Sequence, residues 1–231
     1  MLQQFGPDIW IVDGSTVTAG AGFHYPTRMV VIRLKHGGLV VWSPVAPSDD
    51  LHAGLRALGV VQFIVAPNSL HHTFLGDWQR SYPDAAAYAP PGLSKIRRDV
   101  RLDGDLADGP IPAWAGAIET VVVRGNRITT EAVFFHHQSQ TAIFADLLQQ
   151  FRPGWFTGWR AVVARLDLMV ADEPTVPRKF RVAFTDRRAA REDIRRILEW
   201  PVEKVIVAHG EPVTRDGHRL LQRAFRWLRA E

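Results

Sequence analysis

Three short runs of apolar residues, each followed by a side chain that can bind a metal, limit most strongly how this chain can fold. Runs of this length are typical of strands in a sheet that is covered on both faces. We therefore expect three buried strands with polar residues at their C-terminal ends. They are VVQFIVA at 60–66, TAIFA at 141–145 and VIVA at 205–208, followed by His71 and His72, by Asp146 and by His209.

Strands and helices alternate along the remaining sequence. The patterns predict further strands at 9–12, 29–34, 39–42, 86–89, 118–123 and 131–136, helices at 49–58, 74–81, 155–170, 186–199 and 216–228, and a surface loop at 99–116. Two runs of strands, each followed by helices, predict an α/β fold in which two mixed sheets pack face to face with helices outside. We therefore expect a four-layer αββα sandwich that forms a single domain over residues 1–231.

The chain contains no cysteine, which excludes disulfides and thiolate metal sites and leaves His, carboxylate and amide groups as ligands. The N-terminus has no basic start followed by an apolar run. No uncharged apolar stretch is as long as a membrane span. We therefore expect a soluble, cytoplasmic protein without a transmembrane segment.

The net positive charge is concentrated in the C-terminal part, where residues 152–231 carry 17 basic and 11 acidic side chains. Such asymmetry can indicate nucleic-acid binding. At 186–199, however, the arginines alternate with acids at helical spacing, as on a solvated helix face, and no stacking aromatics accompany them. We expect a small-molecule substrate rather than nucleic acid. The sequence allows a homo-oligomer.

A single histidine after a strand is most often a hydrogen-bonding residue of the core. Here, however, histidines and an aspartate follow three separate strands, and strand ends are where α/β proteins place their sites. The residues are His71, His72, Asp146 and His209. Together they favour a metal site over three unrelated hydrogen bonds.

The order of these residues resembles that of the metallo-β-lactamase superfamily, and more closely a branch with a Pro-Asn-x-x-His-His loop that is similar to the domain of unknown function DUF4336. The resemblance runs from Phe5 to about Pro212. In the superfamily, an H-x-H-x-D-H loop, a G-H-T turn, an F-x-G-D strand and a G-H-G turn hold two metals. The resemblance implies that His71 and His72 take the Asp-His pair, that Asp146 takes the bridging position and that His209 is the last ligand.

The other half of the two-metal centre is not matched. Pro67, Ser69 and Asn126 stand where the first metal's three histidines would be. The resemblance therefore implies at most one divalent metal, zinc first with iron or manganese as alternatives, or none.

Two features of the match remain open. In a register shifted by one residue, Asn68 enters the loop pattern and only His72 of the pair remains a ligand. The superfamily also ends an early strand with Asp-x-Gly, which supports the ligand loop. Here that strand ends in Val41-Trp42-Ser43-Pro44, so we expect this support to be missing.

Other residues are candidates for substrate contacts. Arg28 belongs to the segment 22–28, which is either a packed surface turn or a lip whose arginine grips an anion. Asn68 and Asn126 lie at superfamily ligand positions and are further candidate substrate-binding residues. His136 ends a strand at a hairpin, where we expect a surface role. The helix that begins at Trp155 either packs in the core or forms an interface.

These features predict a hydrolase with at most one divalent metal, held by His71, His72, Asp146 and His209. Asp146 and His209 are the predicted catalytic residues, with Asp146 both ligand and proton acceptor. The residues do not specify the substrate. The alternative is a non-catalytic binding or scaffolding module that kept the fold and lost the metal.

Overall fold

The computed structural model describes residues 1–107 and 111–229, and its two β-sheets pack face to face. In the first sheet, β1 to β4 pair antiparallel and β4 to β7 pair parallel. Its strands lie in sequence order: β1 (Gln3–Gly6), β2 (Ile9–Thr18), β3 (His24–Arg33), β4 (Gly38–Trp42), β5 (Val60–Val65), β6 (Ala86–Ala89) and β7 (Gly104–Asp105).

The second sheet has the order β11-β10-β9-β8 among the described residues. Its strands are β8 (Ile118–Val123), β9 (Glu131–His136), β10 (Thr141–Gln149) and β11 (Lys204–His209). The first three pair antiparallel, and β11 adds to β10 in parallel. The β10–β11 register becomes irregular after Phe144, so the chain leaves regular pairing where Asp146 stands.

Helices cover the outer face of each sheet. Successive side chains of a strand point to opposite faces, so strands with continuous apolar runs need cover on both. The helices are α1 (Asp49–Leu58), α2 (Leu75–Ser81) and α3 (Leu93–Ile96) on the first sheet, α5 (Arg178–Ala183), α6 (Arg187–Ile197), α7 (Gly217–Ala224) and α8 (Arg226–Arg229) on the second, and α4 (Gly158–Leu166) beside the strand ends. Ile9 and Trp42 of the first sheet meet Phe134 and Ile206 of the second in the central layer. The predicted four-layer αββα sandwich is confirmed.

The three strands predicted from apolar runs are confirmed as β5, β10 and β11. Two details differ from the prediction: Val60 at the start of β5 is exposed, and β10 continues past Ala145 to Gln149, so Asp146 lies inside the strand. The predicted helix at 155–170 is wrong at both ends, because Phe151 and Phe156 pack into a separate aromatic cluster and only α4 is helical. The predicted closing helix is broken between α7 and α8. The predicted loop at 99–116 contains β7 and buries Trp114, and its residues 108–110 lie outside the described residues. Across the described ranges, no helix is long and apolar enough to cross a membrane.

Candidate metal centre

Three strand ends bring polar side chains together in the cleft between the sheets. His71 lies in the loop after β5, Asp146 in β10, and His209 is the last residue of β11. Nε2 of His71 lies 3.2 Å from Oδ2 of Asp146 and 3.2 Å from Nε2 of His209. Nε2 of His209 lies 3.4 Å from Oδ1 of Asp146.

This spacing fits a single divalent ion. Ligand atoms held about 2.1 Å from one ion at tetrahedral angles lie about 3.4 Å from one another. In the cleft, the two imidazole nitrogens lie 3.2 Å apart, and each lies 3.2 or 3.4 Å from a different oxygen of the Asp146 carboxylate. Within residues 1–107 and 111–229, His71, Asp146 and His209 are the group of His and acidic residues whose ligand atoms all lie within 4.8 Å of one another. Two imidazoles and one carboxylate are a donor set that zinc, iron and manganese accept.

The outer nitrogens of both imidazoles are held by hydrogen bonds. Nδ1 of His209 lies 2.7 Å from the carbonyl oxygen of Pro26, which can only accept. In a metal-bound state, a neutral His209 would therefore carry its proton on Nδ1 and leave Nε2 to the ion. Histidines that bind metals are usually oriented in this way.

Ser43 holds the other imidazole. Its Oγ lies 2.8 Å from Nδ1 of His71, and its backbone follows β4 with a φ of 52°, which is uncommon for a residue other than glycine. The expectation that support from this strand is missing is therefore corrected: a serine hydroxyl provides it at the strand end where the superfamily has Asp-x-Gly.

Asp146 is buried, and two amides donate to its carboxylate. Nδ2 of Asn68 lies 2.9 Å from Oδ2, and Nε2 of Gln149 lies 3.1 Å from Oδ1. Burial alone would raise the pKa of Asp146, but the imidazoles of His71 and His209 lower it well below its ordinary value. The carboxylate is thus kept ionised, as a metal ligand must be.

Glu131, the first residue of β9, fixes the backbone around Asp146 and is missing from the residues predicted by sequence. Its carboxylate accepts hydrogen bonds from the backbone N–H groups of Ala145, Asp146 and Leu147 at 2.7 to 3.2 Å. Burial raises the pKa of Glu131 to about 7, and the charge of Asp146 adds to the rise. In the sequence, Glu131 could have been noticed as an acidic residue at the start of a predicted strand that is mostly apolar.

His72, predicted as the second histidine ligand, lies outside the group of three. Its Nδ1 and its carbonyl oxygen both receive hydrogen bonds from Nη1 of Arg97, at 2.8 and 2.6 Å. Burial and then Arg97 lower the pKa of His72. The loop therefore turns its two adjacent imidazoles in different directions, and only His71 reaches the cleft.

Asn68 lies in the site as a positioning residue. Its Oδ1 accepts the backbone N–H groups of Leu70 and His71 at 2.9 Å, and its Nδ2 reaches both Asp146 and Glu131. All the polar atoms of this side chain are thus bonded within the protein. Asn68 shapes the His71 loop, and the structure gives it no free group to offer a substrate.

The side chains of Arg28 and Asn126 also form hydrogen bonds to other groups of the protein. Nε of Arg28 bonds Asp13 at 2.8 Å, and Nη1 bonds the backbone carbonyls of Val207 and Gly210. The guanidinium thus ties β3 to the end of β11 and is not at the pocket wall. Asn126 donates to the carbonyl oxygen of Phe180 and accepts from the N–H of Ile128, as in a structural turn.

A pocket of about 310 Å³ opens above the three candidate ligands. Most of its wall is apolar, which is typical of sites for small organic molecules. It is lined by Val17, Thr18, Ala19, Tyr25, Thr27, Ser43, Pro44, Leu70, His71, Thr73, Phe74, Ile128, Asp146, Gln149, Lys179, Phe180 and His209.

Among the polar residues of this wall that were not predicted as site residues are Tyr25, Gln149 and Lys179; Tyr25 belongs to the segment 22–28 that was considered as a lip. Burial, with the charges of Asp146 and Asp167, raises the pKa of Tyr25 to about 12, so its hydroxyl keeps its proton. Nζ of Lys179 lies 3.1 Å from Oδ2 of Asp167, so the positive charge of the lysine is paired with a carboxylate. Gln149 is fully buried. For Lys179 and Gln149, no pattern of spacing distinguishes them from other polar residues of the chain.

Known proteins share the architecture. A metallo-β-lactamase from Pontibacter korlensis is 14% identical, with 100% of this chain and 99% of that chain covered and a TM-score of 0.65. The DIM-1 metallo-β-lactamase exposed to ceftazidime is 13% identical, with 99% and 96% covered and a TM-score of 0.66. The Flv1 flavodiiron core from Synechocystis sp. PCC6803 is 12% identical, with 99% and 60% covered and a TM-score of 0.65.

At the level of sequence, no curated protein matches the chain. One family model does, the domain of unknown function DUF4336, over residues 8–96. This segment runs from β2 to α3 and includes the loop with His71. With two mixed sheets, helices outside and candidate ligands at the strand ends, this chain has a metallo-β-lactamase-like fold.

Proposed function

We propose that this protein is a hydrolase that binds one divalent metal, zinc in the first place, through His71, Asp146 and His209. The observation that supports this most directly is that one ligand atom from each of the three residues lies within 4.8 Å of the others, with the two imidazole nitrogens 3.2 Å apart, a spacing that a single ion can bridge. When bound, such an ion would polarise a substrate oxygen and lower the pKa of a water molecule. Iron and manganese are the alternatives that the same donors accept.

The chain's own groups suit the other parts of the reaction. The lowered pKa of Asp146 suits an ionised metal ligand and makes this carboxylate a weak proton acceptor. Tyr25 remains protonated up to about pH 12 and can donate a hydrogen bond to a substrate oxygen.

The pocket favours an uncharged acyl compound, such as an ester or lactone, over a phosphodiester. Its apolar residues include Leu70, Phe74 and Phe180. The charge of its lysine, Lys179, is paired with the carboxylate of Asp167 at 3.1 Å. An unpaired cation would be needed to hold a second negative charge. The volume of about 310 Å³ corresponds to a small molecule.

A titration with metal tests this proposal. We expect chelator-treated protein to take up one equivalent of Zn²⁺ or Co²⁺ and to gain hydrolysis of at least one ester or lactone in a panel that also contains thioesters and phosphodiesters. His209→Ala should abolish both. His36→Ala is the matched control, because His36 is exposed and bonds Gln62 at the opposite end of β4. Hydrolysis that persists in His209→Ala would refute the proposal.

A non-catalytic binding or scaffolding module is the second candidate, and one observation favours it. Asn68 and Gln149 already donate to both oxygens of Asp146, so protein groups alone hold the carboxylate. In that case, neither the wild type nor His209→Ala should take up metal. The substitution should lower the free energy of unfolding by about 1–3 kcal/mol, because it leaves buried polar groups without a hydrogen-bond partner. Calorimetry beside the metal titration separates the two functions.

A further inference from the structure

Gln149 has a buried polar atom that nothing in the described part of the chain satisfies. The side chain is fully buried and lines the pocket. Its Nε2 lies 3.1 Å from Oδ1 of Asp146, but its Oε1 has no hydrogen-bond partner. Its backbone is fixed, because N–H and C=O both pair with Thr175 at 3.0 and 3.1 Å.

An unpaired buried acceptor is rare in native proteins and calls for an explanation. An amide oxygen can be satisfied by a hydrogen-bond donor or by a cation. Gln149 stands opposite His209 in the β10–β11 ladder, and its amide already touches Asp146. The unpaired oxygen therefore belongs to an amide at the edge of the candidate metal centre.

The position of the amide nitrogen is informative. A half-turn of a glutamine amide exchanges its nitrogen and oxygen with little change in shape. After such a turn, Oε1 would stand where Nε2 now lies, 3.1 Å from Oδ1 of Asp146, close to the spacing of about 3.4 Å between ligands of one tetrahedral ion. Without a cation, two oxygens at this distance repel each other. A cation that both oxygens bind would hold them together. Oε1 gives up no hydrogen bond in turning, whereas Nε2 loses its hydrogen bond to Asp146, and the contacts of both oxygens with the ion would replace it.

We propose that Gln149 is a fourth protein ligand of the divalent ion, through its amide oxygen. This inference rests on the proposed function, because it requires His71, Asp146 and His209 to hold the ion. The ion would then have two imidazole nitrogens, a carboxylate oxygen and an amide oxygen around it.

The other role open to Gln149 is that of a hydrogen-bond donor that only positions Asp146. Gln149→Glu separates the two roles, because a carboxylate is a stronger metal ligand than an amide but cannot donate to Asp146. Gln149→Leu removes both ligand and donor while keeping the bulk of the side chain. Gln150→Leu is the matched control, since the amide of Gln150 bonds the carbonyl oxygens of Ala171 and Asp172 and is outside the pocket wall.

The experiment is a Co²⁺ titration of the metal-free full chain at pH 7.5, followed by visible absorption, which reports the number and type of ligands. We expect Gln149→Leu to weaken Co²⁺ binding at least tenfold and to change the absorption bands. We expect Gln149→Glu to bind at least as tightly as the wild type, and Gln150→Leu to match it in affinity and spectrum. Cooperative unfolding of each metal-free variant checks that it is folded.

Wild-type affinity and spectrum in Gln149→Leu would overturn the inference and leave the proposed function standing. Binding by Gln149→Glu that is as weak as that of Gln149→Leu, or weaker, would also overturn it and would assign the donor role. Should Gln149→Leu fail to fold, Gln149→Glu alone decides. A wild-type chain that takes up no Co²⁺ would refute the proposed function and, with it, this inference.

Discussion

His71 and His72 are adjacent in the chain, but their imidazoles contact different parts of the molecule. His71 lies 3.2 Å from Asp146, whereas His72 accepts from Arg97. The sequence allowed two registers for this loop, one with both histidines as ligands and one with His72 alone. The structure matches neither, since it brings only His71 to the site.

This difference between neighbours yields a first prediction. His71→Ala should lower the affinity for Zn²⁺ by at least a hundredfold, because it removes one of three ligands. His72→Ala should leave the affinity within about threefold of the wild type. Isothermal titration of both variants measures this. A loss of metal in His72→Ala but not in His71→Ala would show that the loop has the shifted register.

Ser43 carries a second prediction. Its hydroxyl orients His71 from 2.8 Å, and outer hydrogen-bond partners of this kind are typically worth about tenfold in metal affinity or more. Ser43→Ala should therefore weaken Zn²⁺ binding about tenfold without changing its stoichiometry. Ser48→Ala serves as a control for a lost hydroxyl, because Ser48 caps α1. Unchanged affinity in Ser43→Ala would mean that packing alone orients His71.

Single residues of the site were only partly predictable from sequence. His71, Asp146 and His209 come after runs of apolar residues, and that pattern is visible in the sequence. Ser43 and Glu131 act through contacts with residues far away in the chain, such as the 28-residue separation between Ser43 and His71. Without the three-dimensional pairing of strands, nothing distinguishes them from other serines and glutamates.

At the scale of elements, strands were predicted better than helices. Continuous apolar runs predicted β5, β10 and β11, because each of these strands packs against the other sheet on one face and against helices on the other. Helical periodicity around 155–170 was misleading. Phe151 and Phe156 pack instead against Tyr25, with ring centroids 5.6 and 6.5 Å away, so tertiary contacts override the local pattern.

The β9–β10 hairpin shows the same limit of local patterns. His136 was expected at the surface, but it is 1% exposed, and its Nδ1 lies 2.8 Å from Oγ of Ser139. Burial lowers the pKa of His136 to about 4. Folding therefore favours the neutral imidazole, and this part of the stability is present above about pH 6.5 and is lost as the pH falls towards 4.

A third prediction follows for this hairpin. Between pH 7.5 and pH 5.0, the free energy of unfolding of the metal-free wild type should fall by about 2 kcal/mol more than that of His136→Gln, which does not titrate. Urea unfolding at both pH values measures the difference. His218→Gln, on α7, is the control. Equal pH dependence in wild type and His136→Gln would show that His136 titrates normally in the folded protein.

At the scale of the whole molecule, the site needs both sheets. His71 comes from the first sheet, and Asp146 and His209 come from the second. The αββα arrangement and the convergence of three strand ends were predictable from the order of apolar runs. That residues 1–231 form one domain stays a prediction.

The fourth prediction concerns the number of metals. Ser69 bonds Thr129 at 3.0 Å and Asn126 bonds Phe180 at 2.9 Å, so these positions serve structural contacts where the superfamily has first-metal histidines. Elemental analysis of protein purified without chelator should find no more than one equivalent of metal per chain. Two tightly bound equivalents would contradict this prediction.

The meeting of His71 with His209 joins residues 138 positions apart. In polymer terms, an ion shared by these two side chains would close a very long loop, in a chain that has no cysteine for a disulfide. Long closures remove the most conformational freedom from an unfolded chain. Metal uptake should then act as a reversible cross-link that raises the free energy of unfolding of both sheets together, and the stability of the fold should depend on the metal concentration.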